Sequence, residues 1–409
     1  MIESKSLINF WVARLREHLQ EERYSQCVAR NYSSDARRFL SYLASRGQSV
    51  ESVSPADIDL YVNGLRRRRD RRALPAAWRR AHRAAIQMLL RLVHGKWPPE
   101  IAPTGADEIA EQELVNGYDA WMAELRGLSA STREHARIET RLLLRWLRDH
   151  GKSVALLRVA DLDAYIAARG ILMRRISKVT MISTLRGVLR YLYGCGLMPM
   201  DLAGAIEGPP IYALEGIPST IRREDIERAL EAARRDHSPL GRRDYAILML
   251  LSTYGLRAGE IAGLCLSDID WRHERLHIRH VKTGACSELP LLRGPADAVL
   301  DYLKHARPET TFREVFLRAL APYRPLCKGG AIYCTVGRRL QAVGVSLTGK
   351  RGAHVFRHSR AASLLSAGVP IKVIGDVLGH RSEQSTAVYL KLATADLRAV
   401  ALDLPEVSS

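Results

Sequence analysis

Apolar residues recur every three or four positions through most of the 409-residue chain, a spacing that predicts helices. Two proline-containing breaks interrupt it: Gly95-Lys96-Trp97-Pro98-Pro99, continuing to Pro103 and Gly105, and Gly208-Pro209-Pro210, continuing to Gly216 and Pro218. Such stretches end helical periodicity on both sides, as linkers do. The first two segments so bounded are related. A shift of 104 positions aligns Leu43, Gly47, Ser49, Val50, Ala56, Asp57, Asp59 and Tyr61 with Leu147, Gly151, Ser153, Val154, Ala160, Asp161, Asp163 and Tyr165. Skipping about five residues further on aligns Leu90-Arg91 and Gly95 with Leu189-Arg190 and Gly194. The shared Gly and Asp fall in turns rather than on apolar stripes, so the pattern predicts a duplicated all-helical domain. Each copy reads as four or five short helices, with Asp57 and Asp161 placed to cap a helix running into Tyr61 and Tyr165.

The third segment opens with a helix cap expected at Ser219 or Thr220, then a buried helix over Asp244 to Ser252 that stops at Tyr254-Gly255. Leu256-Arg257-Ala258-Gly259-Glu260 starts a short helix running to Leu264. The period then changes to two: Arg275-Leu276-His277-Ile278-Arg279-His280-Val281-Lys282, a Thr283-Gly284 turn, and Ser287 to Leu292 predict a β-hairpin. From Pro295 onward the pattern is helical again, apart from a loop over Tyr323 to Gly330. The expected architecture is mainly α: two related all-helical modules, 1–97 and 108–207, and a mixed α+β domain, 217–409, with a small antiparallel sheet.

Charge adds a partner to this picture. There are 62 Lys plus Arg against 44 Asp plus Glu, a formal charge of +18, and only ten of those bases are Lys. Arg offers planar, paired donors suited to phosphate, so a polyanion, and double-stranded DNA first of all, is the expected partner. The bases gather at matching places in the two copies: Arg66, Arg67, Arg68, Arg69, Arg71, Arg72, Arg79, Arg80 and Arg83 in the first, and Arg169, Arg174, Arg175, Lys178, Arg186 and Arg190 in the second. A clamp on a duplex needs several such phosphate contacts. The densest apolar run, Tyr245 to Leu251, is seven long, short of the roughly 18 of a membrane span. Met1 to Phe10 lacks the apolar core of a signal peptide, so a cytoplasmic protein is expected. Six scattered cysteines without a C-x-x-C pair predict neither zinc site nor disulfides and read as small buried apolar residues.

Four clusters in the third segment add up to one site. Arg257 follows a helix-ending Gly at a helix start, where free backbone donors favour phosphate; Lys282 lies at the hairpin tip; His354 and Arg357 stand one helical turn apart, hence on one face; and Leu378-Gly379-His380 is followed nine residues later by Tyr389. Singly these are weak. An H-x-x-R pair is expected about once or twice by chance in a chain of this composition. Their order and spacing together resemble the tyrosine recombinases, the phage-integrase-like site-specific recombinases: Gly255-Leu256-Arg257 with Glu260, Lys282 on a hairpin, His354 with Arg357, Leu378-Gly379-His380, and Tyr389. The resemblance covers the catalytic domain from about Ile217 to Leu392, and Tyr118 to Gly204 resembles the family's helical core-binding domain. By analogy, Leu7 to Trp97 is expected to be an arm-type or second core-binding domain.

The residue types also suit the chemistry. Phosphodiester exchange needs a nucleophile, stabilisation of charge on the non-bridging oxygens and a proton for the departing oxygen. Tyr389 can supply the nucleophile, Arg257 and Arg357 paired donors to phosphate, His380 a further donor, His354 an acceptor for the tyrosyl proton or support for its transfer, and Lys282 the proton for the leaving 5′ oxygen, with Glu260 in support. No metal or other cofactor is expected, since fixed cations take that role. The resemblance implies the same roles with a 3′-phosphotyrosyl intermediate, in integration, excision or transposition of a bacterial mobile element. It implies dimers on each site and a tetrameric synapse, with accessory recombinases or DNA-bending proteins as further candidate partners. The stretch Leu392 to Pro405 carries helical spacing and would pack on its own domain or on a neighbouring protomer. Two alternatives remain at this point: a type IB topoisomerase-like relaxing enzyme, and a DNA-binding architectural protein with a lapsed site.

Overall fold

The computed structural model describes residues 2–65, 74–99, 105–210, 219–280, 284–326, 329–346, 352–379, 386 and 388–392. Lys282, His380, Arg66, Arg67, Arg68, Arg69, Arg71, Arg72, Cys327 and the stretch after Leu392 lie outside them. Two compact units form, one from Met1–Pro99 with Gly216–Ser409, the other from Glu100–Glu215.

The chain begins with α1 (Ile2–Glu21), α2 (Gln26–Ser45), a 3-10 turn (Val50–Ser52), α3 (Pro55–Gly64) and α4 (Ala76–His94). The same order returns as α5 (Ala106–Glu124), α6 (Ala130–Asp149), a 3-10 turn (Val154–Leu156), α7 (Val159–Gly170) and α8 (Arg175–Gly194). The likeness extends to the turns. Ser25 and Ser129 cap α2 and α6 by accepting the N–H of Val28 and Thr132 at 3.4 and 3.3 Å, and Gly47 and Gly151 leave those helices at φ 65° and 63°. Asp57 and Asp161 act at the expected helix starts, but from the third helical position. There they accept the backbone N–H of Ser54 and Arg158 at 2.8 and 3.1 Å. Tyr61 then packs edge-on against Phe39, and Tyr165 against Trp146. The helices are longer than expected: α1, α2, α6 and α8 run to 20 residues each, because their apolar stripes, such as Phe39, Leu40 and Leu43 or Leu143, Leu144 and Leu147, continue without a breaker.

The remainder comprises α9 (Arg223–Arg234), α10 (Pro239–Tyr254), α11 (Ala258–Ala262), β1 (Ile269–Asp270), β2 (Arg275–Arg279), β3 (Cys286–Pro290), α12 (Arg293–His305), α13 (Gly330–Ala342), α14 (Ala353–Ser366), α15 (Ile371–Leu378) and a 3-10 turn (Val388–Leu392). The expected cap at Ser219 or Thr220 is displaced: α9 starts after Arg222, and Asp225 in its first turn takes the side chains of Arg222 and Arg228. The hairpin forms in the register Leu276 opposite Leu289 and Ile278 opposite Ser287, and β1 extends it to three antiparallel strands. Leu276, Ile278 and Leu289 turn inward onto the core around α10, whose Ile247, Leu248, Leu250 and Leu251 are buried. Asp244 of α10, fully enclosed, receives Arg243 and Arg339 at 2.9 Å together with Arg338, and so ties α10 to α13.

Two further expectations fail. The loop before α13 starts after His305, well ahead of Tyr323, because Val315, Phe316 and Leu317 bury themselves in extended chain paired through Cys265–Glu314 and Leu317–Pro325 bridges. Nor are the described cysteines buried: Cys27, Cys195, Cys286 and Cys334 are exposed and Cys265 partly so, since they fall at helix ends, on polar helix faces and at the hairpin mouth. Among the described residues no helix is long and apolar enough to cross a membrane.

Candidate active site

Gly255 ends α10 in the left-handed conformation, φ 65°, and a Cβ there would fall 2.9 Å from the Leu378 side chain, so the reversal requires glycine. That reversal sets Arg257 at the start of α11. Glu260, three residues on, accepts the Arg257 backbone N–H on Oε2 and its Nη1 on Oε1, both at 2.7 Å. Burial alone would raise the Glu260 pKa, but hydrogen bonds from His280 and Arg257 hold it below the ordinary carboxylate value. His280, buried at the end of β2, places Nδ1 2.7 Å from the same Oε1 and Nε2 2.8 Å from Ser287 Oγ.

Arg357, on α14, is only 4 % exposed. Its Nη1 donates to the Gly255 carbonyl at 3.0 Å and its Nη2 to the Leu378 carbonyl, while Arg257 Nη2 donates to the neighbouring Gly379 carbonyl at 3.2 Å. Both guanidinium groups are thus anchored on the C-terminal end of α15, where carbonyls lack helical partners. Burial, then the charge of Arg257, pushes the Arg357 pKa down to about 10.

Tyr389 sits in the last 3-10 turn, 3 % exposed, packed with Ala361, Ile374 and Leu378. Its hydroxyl lies 3.1 Å from His358 Nδ1. Burial raises the tyrosine pKa and the Arg357 cation works against that rise. His354 is exposed and stacks its ring on His358 with centroids 6.2 Å apart. The structure therefore brings together Arg257, Glu260, Arg357 and Tyr389. Lys282 and His380 are outside the described residues, but their neighbours His280 and Gly379 are part of this cluster.

Sequence reasoning missed His280 and His358. Both left a signal. His280 falls in step with the inward-facing Leu276 and Ile278 of an alternating strand, and His358 stands four residues after His354, on the same helix face. Among the described residues no group of three or more His, Cys, Asp or Glu could hold a metal ion.

The basic residues of the repeated helices differ in exposure. Arg80, Arg174, Arg175 and Arg190 are exposed. Arg83 pairs with Asp59 at 2.5 Å, Arg79 donates to Asn63 at 3.3 Å, Lys178 lies over Gly170, and Arg186 donates to the Ile206 carbonyl at 2.7 Å. Arg186 thus has an internal use that its place in a charge run concealed.

Residues 219–396 match the phage integrase family, and residues 12–92 its N-terminal SAM-like domain. A Sinorhizobium fredii protein named as an integrase/recombinase, y4rA, is 32% identical over 402 residues, covering 97% of this chain and 95% of that one. The chain belongs to the phage integrase family. It is a tyrosine-type site-specific recombinase, and the SAM-like match falls on the first repeat while the sequence resemblance to a core-binding domain falls on the second. The recombinase also resembles y4gC of the same organism, 55% identical over 195 residues, which are 47% of this chain and 100% of that one. In fold it is similar to the XerH site-specific recombinase bound to a palindromic difH substrate (TM-score 0.56, 15% identity, 72% of this chain and 87% of that one). A lambda integrase dimer bound to a COC′ core site is similar too (TM-score 0.54, 19% identity, 73% and 99%).

Proposed function

We propose that this recombinase cleaves and rejoins DNA through a covalent 3′-phosphotyrosyl link formed by Tyr389, in the integration, excision or transposition of a mobile element. The observation that carries the reading is Tyr389 packed against Leu378 of α15, the helix on whose C-terminal end Arg257 and Arg357 are both anchored. Two cations held by neutral carbonyls and a single carboxylate leave a positive site beside a potential nucleophile, which suits a phosphodiester. The phenolic oxygen attacks phosphorus, the bond to the 5′ oxygen breaks, and the phosphotyrosyl ester keeps the bond energy for religation. Lys282 is assigned the proton for the leaving oxygen, His380 a further phosphate contact, and His354 the support of tyrosine deprotonation. Arg80, Arg174, Arg175 and Arg190 are assigned to DNA phosphates, from two helical modules at 1–97 and 108–207, with 217–409 as the catalytic domain. The dimer and the Holliday-junction tetramer described for lambda integrase support assembly as a dimer on each site and a tetramer in the synapse.

The test is a trapping assay with nicked duplexes tiled across the DNA flanking the gene, scored for an SDS-resistant adduct, beside Tyr389→Phe. An adduct on one tile, absent from the Phe variant, is expected. Adducts on every tile would favour a relaxing enzyme, and strand exchange by Tyr389→Phe would overturn the assignment of the nucleophile.

A further inference from the structure

His280 lies outside the residue set assigned above, yet it touches three of its parts. Its ring is 3 % exposed and both nitrogens are engaged, Nδ1 with Glu260 Oε1 at 2.7 Å and Nε2 with Ser287 Oγ at 2.8 Å. Arg257 Nη1 shares that carboxylate oxygen at 2.7 Å and approaches His280 Nδ1 to 3.5 Å. On another side stands Gly379, φ 63°, so close that a Cβ would fall 2.3 Å from the ring; its carbonyl accepts Arg257 Nη2. A polar ring in this position costs burial energy unless both nitrogens are satisfied. Leu276 and Ile278, the two preceding inward positions of the strand, are apolar.

The carboxylate explains what the histidine adds. Glu260 Oε2 is fixed by the Arg257 backbone N–H, while Oε1 is shared between Arg257 and His280. Removing the imidazole leaves Oε1 held only by the guanidinium it is meant to aim, beside a void where the ring stood. We propose that His280 is a positioning residue: through Glu260 it fixes the aim of the Arg257 guanidinium and joins it to the β2–β3 hairpin, two residues before Lys282. This rests on the phosphotyrosyl reading above. Phosphate stabilisation and the hairpin that carries the leaving-group lysine would then move as one unit.

Single-turnover cleavage of the trapping duplex by the full chain tests it, with DNA affinity and melting temperature measured beside it. An Asn side chain places its amide nitrogen where His Nδ1 lies and reaches Glu260, whereas Gln reaches the Nε2 position and Ser287. His280→Ala should slow cleavage by on the order of 10–100-fold, as removal of a group that orients a site residue does, with DNA affinity unchanged. His280→Asn should recover most of that rate and His280→Gln little of it. A duplex with a neutral methylphosphonate at the cleaved position removes the charge that Arg257 meets, and on it His280→Ala should cleave within about threefold of wild type. Asn and Gln variants of equal rate, or an unreduced His280→Ala defect on the neutral substrate, would overturn the inference while leaving the recombinase reading intact. A wild-type protein forming no Tyr389-dependent adduct would overturn both. Should His280→Ala fail to fold, the contrast between Asn and Gln decides.

Discussion

Burying Arg357 is costly, and the cost can be measured. Its guanidinium is held at a pKa of about 10, first by burial and then by Arg257. At about 1.4 kcal/mol per pH unit, the gap to the ordinary arginine value is a penalty on the order of 3 kcal/mol for keeping this charge in the folded chain. The sign follows from linkage: a base whose folded pKa is depressed destabilises the fold throughout the range below about 10, and the penalty fades only as pH rises past that value. An oxyanion at the site offsets it at neutral pH. For sulfate bound with a Kd of about 1 mM, roughly 50 mM would contribute about 2.3 kcal/mol, or a rise of roughly 5–9 °C in melting temperature for a domain of this size. Scanning calorimetry at pH 7, sulfate against chloride at equal ionic strength, reads this directly. Sulfate also stabilises proteins by exclusion from their surface, so the decisive quantity is the difference between wild type and Arg357→Gln, which keeps an amide donor for the Gly255 or Leu378 carbonyl and loses the charge. An equal rise in both proteins would refute the argument that the two arginines are held in wait for an anion.

Asp244→Ala should cost roughly 3–5 kcal/mol, because it strands the buried Arg243 and takes from the largely enclosed Arg339 one of its two carboxylate partners, leaving only Asp236; a loss under about 1 kcal/mol in thermal or urea unfolding would show that water replaces it. Arg80→Gln with Arg190→Gln should weaken DNA binding and lower the slope of log affinity against log salt by about 2 in magnitude, near 0.9 for each phosphate no longer neutralised. An unchanged slope would remove the α4 and α8 faces from the DNA surface.

The repeat was legible because it is written in turns. Gly47 and Gly151, Asp57 and Asp161 hold positions where few residue types serve, and the helix starts and ends fell where those residues put them. The hairpin was legible from its period alone. Of the expected site residues, Arg257, Glu260, Arg357 and Tyr389 meet in the structure, but how they meet was not legible. His354 and Arg357 were read as sharing a face, yet three residues are 300° of helix, and the remaining 60° is enough at the edge of a core to leave one side chain in solvent and the other buried. Arg186 could not be separated from the bases proposed to meet phosphate, since its partner is a backbone carbonyl and carbonyls have no signature in sequence. The same blindness hid the anchors of Arg257 and Arg357.

Those anchors bear on how the site assembles. The carbonyls of Leu378 and Gly379 are successive acceptors at the negative end of α15, and each holds one arginine. Gly379 can present its carbonyl this way because it adopts φ 63°, and it can lie against His280 because it has no Cβ. The first two residues of the Leu-Gly-His sequence thus supply the backbone that holds both arginines. The same helix packs on Tyr389 through Ile374 and Leu378. A displacement of α15 would loosen both guanidinium groups and the tyrosine together, whereas a displacement of the hairpin would reach Arg257 through His280 and Glu260 and leave Arg357 on its own two carbonyls. The two arginines, alike in sequence and in charge, answer to different parts of the fold.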